Sequence, residues 1–130
     1  MHRFVYVSLG SLVLAGLASA QGANDCSSAQ AIAGTGLFAF SNVGATNDGP
    51  ATNNCSVPLN SDVWWQWTAP STASFILQTC NQTLLDSVLV VYAGVSCPPG
   101  AELACNDDSC GLQTRLVFAA TMGSTYLLRL

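Results

Sequence analysis

Hydrophobic and polar positions alternate along most of the chain. In "DVWWQWTA" (62–69), Val63, Trp65 and Trp67 fall on one side of an extended backbone, and Asp62, Trp64, Gln66 and Thr68 on the other. In "LFAFSNV" (37–43), Phe38 and Phe40 share a side. "ASFILQTC" (73–80), "DSVLVVYA" (86–93), "AELAC" (101–105), "TRLVFAA" (114–120) and "STYLLRL" (124–130) are short runs rich in β-branched or aromatic residues, with turn residues between them. Short strands at such regular spacing predict an all-β, antiparallel β-sandwich. Two stretches depart from the pattern. In "QGANDCSSAQAIAGT" (21–35), Asp25 ahead of small helix-tolerant residues predicts one short N-terminal helix, ended by Gly34. Residues 44–61, rich in Gly, Asn, Thr and Pro, read as loop.

The first twenty residues follow neither period. His2 and Arg3 give a short basic start, Phe4 to Leu17 is nearly unbroken apolar chain, and "ASA" closes the run at 18–20. This is the layout of a secretory signal peptide, with cleavage expected after Ala20. The apolar run is shorter than the roughly 20 residues a membrane-spanning helix needs. The expected organisation is therefore a signal peptide at 1–20, an N-terminal segment at 21–35 and a β-sandwich at 36–130. The last expected strand runs to the final residue. It is expected either to form a sheet edge or to be followed by further chain, which would make 36–130 a truncated domain.

Export changes how the cysteines read. Cys26, Cys55, Cys80, Cys97, Cys105 and Cys110 all follow the expected cleavage point. An even number in a small exported chain predicts a disulfide framework rather than a thiolate metal site. No C-x-x-C is present, and the single His, His2, lies in the signal. Strand lengths and reach favour Cys80 pairing with Cys105 or Cys110, because all three lie at one end of the strand over 86–93. A Cys105–Cys110 ring with Cys80–Cys97 is the alternative. Cys26 and Cys55 are the natural remaining pair. After residue 20 the chain keeps Arg115 and Arg129 against seven acids and has no Lys, so its net charge is −5 (2 − 7). That charge excludes nucleic acid, and anionic membrane after signal removal, as partners, since both demand a basic surface.

In this order and spacing, "DVWWQWTAP", "LLDSVLVVYAG", "LACNDDSCGLQTRLVF" and "GSTYLLRL" resemble secreted bacterial domains related to the pre-peptidase C-terminal (PPC-like) family. The matching positions are Asp86, Leu89 and Tyr92; Asn106, Asp107 and Asp108; Thr114 and Arg115; and Gly123, Tyr126 and Arg129. The opening "NDCSSA" (24–29) is similar to the cysteine-bearing branch of that group. The resemblance covers most of residues 24–130. It implies a jelly-roll-type β-sandwich, non-catalytic, found beside secreted hydrolases or in large surface proteins. It also implies a Gly-rich turn and a final strand after the last arginine, which this sequence lacks.

Candidate chemistry is sparse. Nucleophilic hydrolysis wants a base beside Ser or Cys, and residues 21–130 hold neither His nor Lys. Adjacent Asp107 and Asp108 are poorly suited to the paired carboxylates of a glycosidase, so no enzyme is expected. The "NDD" run has two readings. Its Asx side chains can brace a turn by accepting backbone N–H groups. Alternatively Asp86, Asn106, Asp107 and Asp108 hold Ca²⁺, a hard cation that prefers oxygen ligands; the pairing expected of 86–93 with 101–105 puts all four at one hairpin end. No other cofactor is expected. Trp64, on the face opposite Trp65 and Trp67, is either covered by the 21–35 segment or a platform on which a sugar stacks. Two functions follow. One is an accessory module of a secreted or cell-surface protein, serving attachment, spacing or binding of extracellular polysaccharide or protein, alongside further domains of a longer chain. The other is a stand-alone lectin-like unit.

Overall fold

The computed structural model describes residues 3–8 and 21–130; the expected cleavage point after Ala20 lies outside the described residues. Among these, nine strands form two sheets: β1 (Arg3–Ser8), β2 (Gln30–Ala33), β3 (Gly36–Phe40), β4 (Trp64–Thr68), β5 (Ala73–Gln78), β6 (Val88–Ala93), β7 (Glu102–Asp107), β8 (Arg115–Ala120) and β9 (Thr125–Arg129). A four-stranded sheet has the order β3-β1-β5-β8, and a five-stranded sheet the order β2-β4-β9-β6-β7. All the pairings are antiparallel except β2 with β4, which is parallel. The result is an all-β, sandwich-like fold.

The strands of the first sheet bury every second residue. Phe38 and Phe40, Phe75 and Leu77, and Leu116, Phe118 and Ala120 point inward, while Val117 on the other side is exposed. Opposite them, the second sheet contributes Trp65, Trp67, Leu89, Val91, Tyr126 and Leu128 to the same core. Trp67 joins the two layers: its ring meets Phe75 edge-on at 4.8 Å and Phe118 at 5.7 Å. These geometries place the positive ring edge against a negative face.

β6 and β9 do not alternate; four consecutive residues of each are buried. A strand reads this way when both its faces are covered. The second cover is the loop over 41–63, which crosses the outer face of the five-stranded sheet. There Trp64, Val90, Tyr92 and Leu127 form a smaller apolar cluster with Cys26, against which Leu59 of the loop packs. Eighteen or more structureless residues are unusual in a small domain unless they are pinned down. Here the Cys55–Cys105 bridge ties the loop to β7, and the Glu102 carboxylate accepts the N–H groups of Asn53 and Asn54, both at 2.8 Å.

Three expectations require correction. The helix expected in 21–35 is only a 3-10 turn at Cys26–Ser28, followed by β2. Helix propensity is a weak prior, and Gln30–Ala33 gain more by pairing with β4 and burying Ile32. Cys26 does not pair with Cys55. The bridges are Cys26–Cys97, Cys55–Cys105 and Cys80–Cys110, with Cα separations of 5.9, 5.7 and 6.0 Å. Cys55 is carried to the far sheet edge by the covering loop, which leaves Cys26 facing the connection after β6. Cys80–Cys110 is one of the pairings that reach had favoured. The final strand is no sheet edge, since β9 lies between β4 and β6. Apart from these corrections, Arg3–Ser8, within the segment read as a signal peptide, forms the internal strand β1.

Candidate functional site

The stretch "ACNDDSCG" runs along the last residues of β7, through Asp107, into a stapled turn over 108–111 at one end of the β6–β7 hairpin. Val88 stands opposite Asp107, so Asp86, two residues before Val88, arrives beside the end of β7. Asp108 takes a left-handed backbone with φ 54°, a conformation Asp tolerates better than most residues. The Asn106 side chain braces the turn in the way Asx residues do: its Oδ1 accepts the Asp107 N–H at 2.7 Å and its Nδ2 donates to the Arg115 carbonyl at 2.9 Å. Cys80–Cys110 then binds the turn to the end of β5.

The segment carrying Asp86 is held just as firmly. Thr79 and Ser87 hydroxyls lie 2.7 Å apart, both buried, and Thr79 Oγ1 accepts the Thr114 N–H at 3.0 Å. The Ser87 N–H donates to the Leu112 carbonyl at 2.8 Å, and Leu85 is held by Thr83 Oγ1 through its N–H at 3.1 Å. Two loops are thereby fixed against each other, and the acids stand on their rims.

Asp86, Asp107 and Asp108 converge so that one carboxylate oxygen of each lies within 4.8 Å of the others. Asp107 responds to its surroundings. Partial burial raises its pKa above the ordinary 3.8, the negative charges of Asp108 and Asp86 push it further, and a backbone hydrogen bond from Asp108 opposes them. Three like charges this close are held together by the scaffold against their repulsion. Asp86 and Asp107 also line a cleft of about 370 Å³, whose other walls include Pro58, Leu59 and Leu130.

Of the four residues singled out as Ca²⁺ ligands, three thus meet as carboxylates, and Asn106 serves the turn that presents them. Trp64 is not a stacking platform. It is fully buried; its Nε1 donates to Asp48 at 2.6 Å, Tyr92 stacks on it with centroids 5.9 Å apart, and the Arg129 guanidinium lies 5.0 Å over its ring. The cover comes from both expected and unexpected quarters: Cys26 and Ala29 of the 21–35 segment pack in this cluster, and the 41–63 loop adds Leu59 and the Asp48 carboxylate.

Arg129 is the residue whose role was hardest to foresee. A β-strand's outer face ordinarily sends arginine to solvent, yet this side chain is completely buried. Its Nε donates to Asp62 Oδ2 at 2.6 Å, Nη1 to the Pro50 carbonyl at 2.7 Å and to the Tyr92 hydroxyl at 3.3 Å, and Nη2 to Asn47 Oδ1 at 2.8 Å. A Cβ on Gly49 would overlap the guanidinium, so the group is sandwiched between the Trp64 ring and the Gly49 backbone. Burial raises the Tyr92 pKa, with the hydrogen bond and charge of Arg129 acting in the opposite direction. This arrangement fastens the covering loop; its donors are spent on the protein. The one advance signal is the position of Arg129 in the "GSTYLLRL" motif.

Among the described residues no helix is long and apolar enough to cross a membrane. Comparison of the chain with protein-family models, with curated proteins and with solved structures gives no match.

Proposed function

We propose that the chain is a secreted, non-catalytic binding module of the PPC-like, jelly-roll type, and that Asp86, Asp107 and Asp108 hold a Ca²⁺ ion at the mouth of its cleft. The convergence of three carboxylates on a disulfide-stapled rim carries this reading. Ca²⁺ takes six to eight oxygen ligands in adaptable geometry. Three carboxylates supply the charge, and water or an extracellular polymer lying in the cleft supplies further oxygens. A metal-bridged contact suits an acidic, lysine-free chain in which Arg129 is buried and Arg115 is the exposed cation among residues 21–130. Three disulfides in a small all-β domain fit an oxidising extracellular setting. Residues 21–130 contain no His or Lys to act as a general base, which favours attachment over hydrolysis.

Titration calorimetry of the exported protein tests the proposal. Ca²⁺ should bind with one site per chain, and Asp108→Ala should abolish the heat while leaving the fold, read by circular dichroism, unchanged. Absence of heat at millimolar Ca²⁺ would rule the site out.

A further inference from the structure

Strand β1 holds a place that cleavage after Ala20 empties. It lies inside the four-stranded sheet, pairing with β3 from Arg3 opposite Phe40 to Val7 opposite Gly36, and with β5 from Tyr6 opposite Gln78 to Ser8 opposite Ile76. Val5 and Val7 are fully buried in the main core. Without residues 1–20, β3 and β5 face each other across two strand spacings, about 9.6 Å. Unpaired backbone groups and an apolar hole in such a place are costly. β5 is anchored along its length to β8, and β3 by Phe38 and Phe40 in the core, so the gap stays open until a strand enters it. Strands β2 to β9 each already have a place of their own.

The path of the chain beyond β9 leads to this gap. Gly34 and Thr35 alone join β2 to β3, and β7 lies against β8, so the sheets face each other with β2 over β3 and β7 over β8. β9, the middle strand of its sheet, therefore lies over the middle of the other sheet, beside the place of β1. The ends match as well. β9 runs from Thr125 opposite Thr68 to Arg129 opposite Trp64, and both backbone groups of Leu130 pair with Val63. The start of β4 stands at the Phe40 end of β3. There the Gln21 carbonyl accepts the Ser41 N–H, the Ala23 N–H donates to the Trp64 carbonyl, and Phe40 is edge-on to Trp65 with ring centroids 6.4 Å apart. Asn42 and Leu130 line one cleft at this end. It is also where β1 enters its sheet, with Arg3 opposite Phe40. Chain leaving Leu130 has the roughly 10 Å between the sheets to cross, about three or four residues, and on turning back it runs in the direction of β1.

We propose that, after signal cleavage, the segment of this chain that follows Leu130 takes the place of β1. It enters beside Phe40, runs antiparallel to both β3 and β5 over about six residues, and carries apolar side chains at the two alternate positions now held by Val5 and Val7. Such a strand spans ~20 Å. Whatever chain comes next leaves the sandwich beside Gly36, at the end opposite the cleft lined by Asp86 and Asp107. The cleft thus stays free for a ligand while further chain extends from the other end. The inference rests on the export reading made under Proposed function.

The test uses the full chain as exported from its host. Its mass and both termini are determined first, and amide hydrogen exchange is then followed over Gly36–Phe40. The expected chain starts at Gln21, continues past Leu130, is monomeric in native mass spectrometry and exchanges slowly over Gly36–Phe40, where β1 is the sheet partner of β3 among the described residues. Replacing the two inward apolar residues of the downstream strand by Asp should speed that exchange at least about 100-fold, since each buried aliphatic side chain is worth roughly tenfold or more. If that variant does not fold, the wild-type measurements decide. A chain that ends at Leu130, fast exchange over Gly36–Phe40 in a longer chain, or a folded variant with unchanged exchange overturns the proposal. Slow exchange found only in a complex with another chain overturns it in favour of a strand from a second polypeptide. A retained Met1 overturns the export reading and leaves β1 in place.

Discussion

Removing the Asp62 carboxylate is the sharpest perturbation the covering loop offers. Asp62 and Arg129 are 1 % and 0 % exposed, and their contact, at 2.6 Å, is the ion pair at the centre of the loop's anchor. In Asp62→Ala the guanidinium keeps its bonds to Pro50, Asn47 and Tyr92 and its place over Trp64. Among the described residues it loses the only anion it touches while remaining buried. A lost hydrogen bond to a charged group is worth about 1.5–3 kcal/mol, and stripping one partner from a buried ion pair about 3–5 kcal/mol. The acceptors that stay place the expectation near the bottom of the second range, about 3 kcal/mol. With a urea m-value of about 2 kcal/mol/M for a domain of this size, the unfolding midpoint of the oxidised protein should fall by about 1.5 M with m unchanged. The double variant Asp62→Leu with Arg129→Met removes both charges. It should be clearly more stable than Asp62→Ala, because no uncompensated ion remains. A midpoint shift under about 0.5 M, or a double variant less stable than the single, would refute the claim that a desolvated charge pair fastens the loop.

The same anchor makes Gly49→Ala destabilising by about 1–3 kcal/mol, the range for overpacking, as measured by thermal or urea unfolding. Trp64→Ala should cost as much as Trp65→Ala, about 3–5 kcal/mol each, since both rings are fully buried; a much cheaper Trp64→Ala would mean that the outer face is open. Replacing Cys55 and Cys105 together by Ala should cost about 2–4 kcal/mol and open the 44–61 loop to limited proteolysis before the domain itself unfolds. For Asp107 the raised pKa means the folded state holds a proton more readily than the unfolded chain. Its contribution to stability is therefore present below the ordinary Asp range and lost as pH rises through the raised value. Asp107→Asn, which cannot ionise, should accordingly have a higher midpoint than wild type at pH 7 without Ca²⁺, and the difference should shrink on acidification below the ordinary 3.8. Millimolar Ca²⁺ should narrow or reverse it.

Local pattern was enough for β3 to β9. Each of those strands overlaps a stretch marked by alternation or β-branched residues, although β3 starts one residue earlier at Gly36 and β7 runs two residues further to Asp107; Trp64 and Trp65 lie on the opposite faces that a period of two assigns them. The turn role of Asn106 was likewise legible, because an Asx side chain acts on the backbone next to it. What lay beyond reach was everything set by distance in sequence. The pairing of Cys26 with Cys97 across 71 residues depends on where the covering loop runs, and no spacing records that path. The burial of Arg129 depends on Asp62, Asn47 and Pro50 arriving from the other side of the chain. Gln30–Ala33 carry a weak helical preference that the neighbouring β4 overrode by offering hydrogen bonds and a place for Ile32. An alternating strand announces itself because its neighbours in sequence share the face it buries. A disulfide, a buried ion pair or an edge strand answers to neighbours in space, which exist only once the two sheets and their loop have come together.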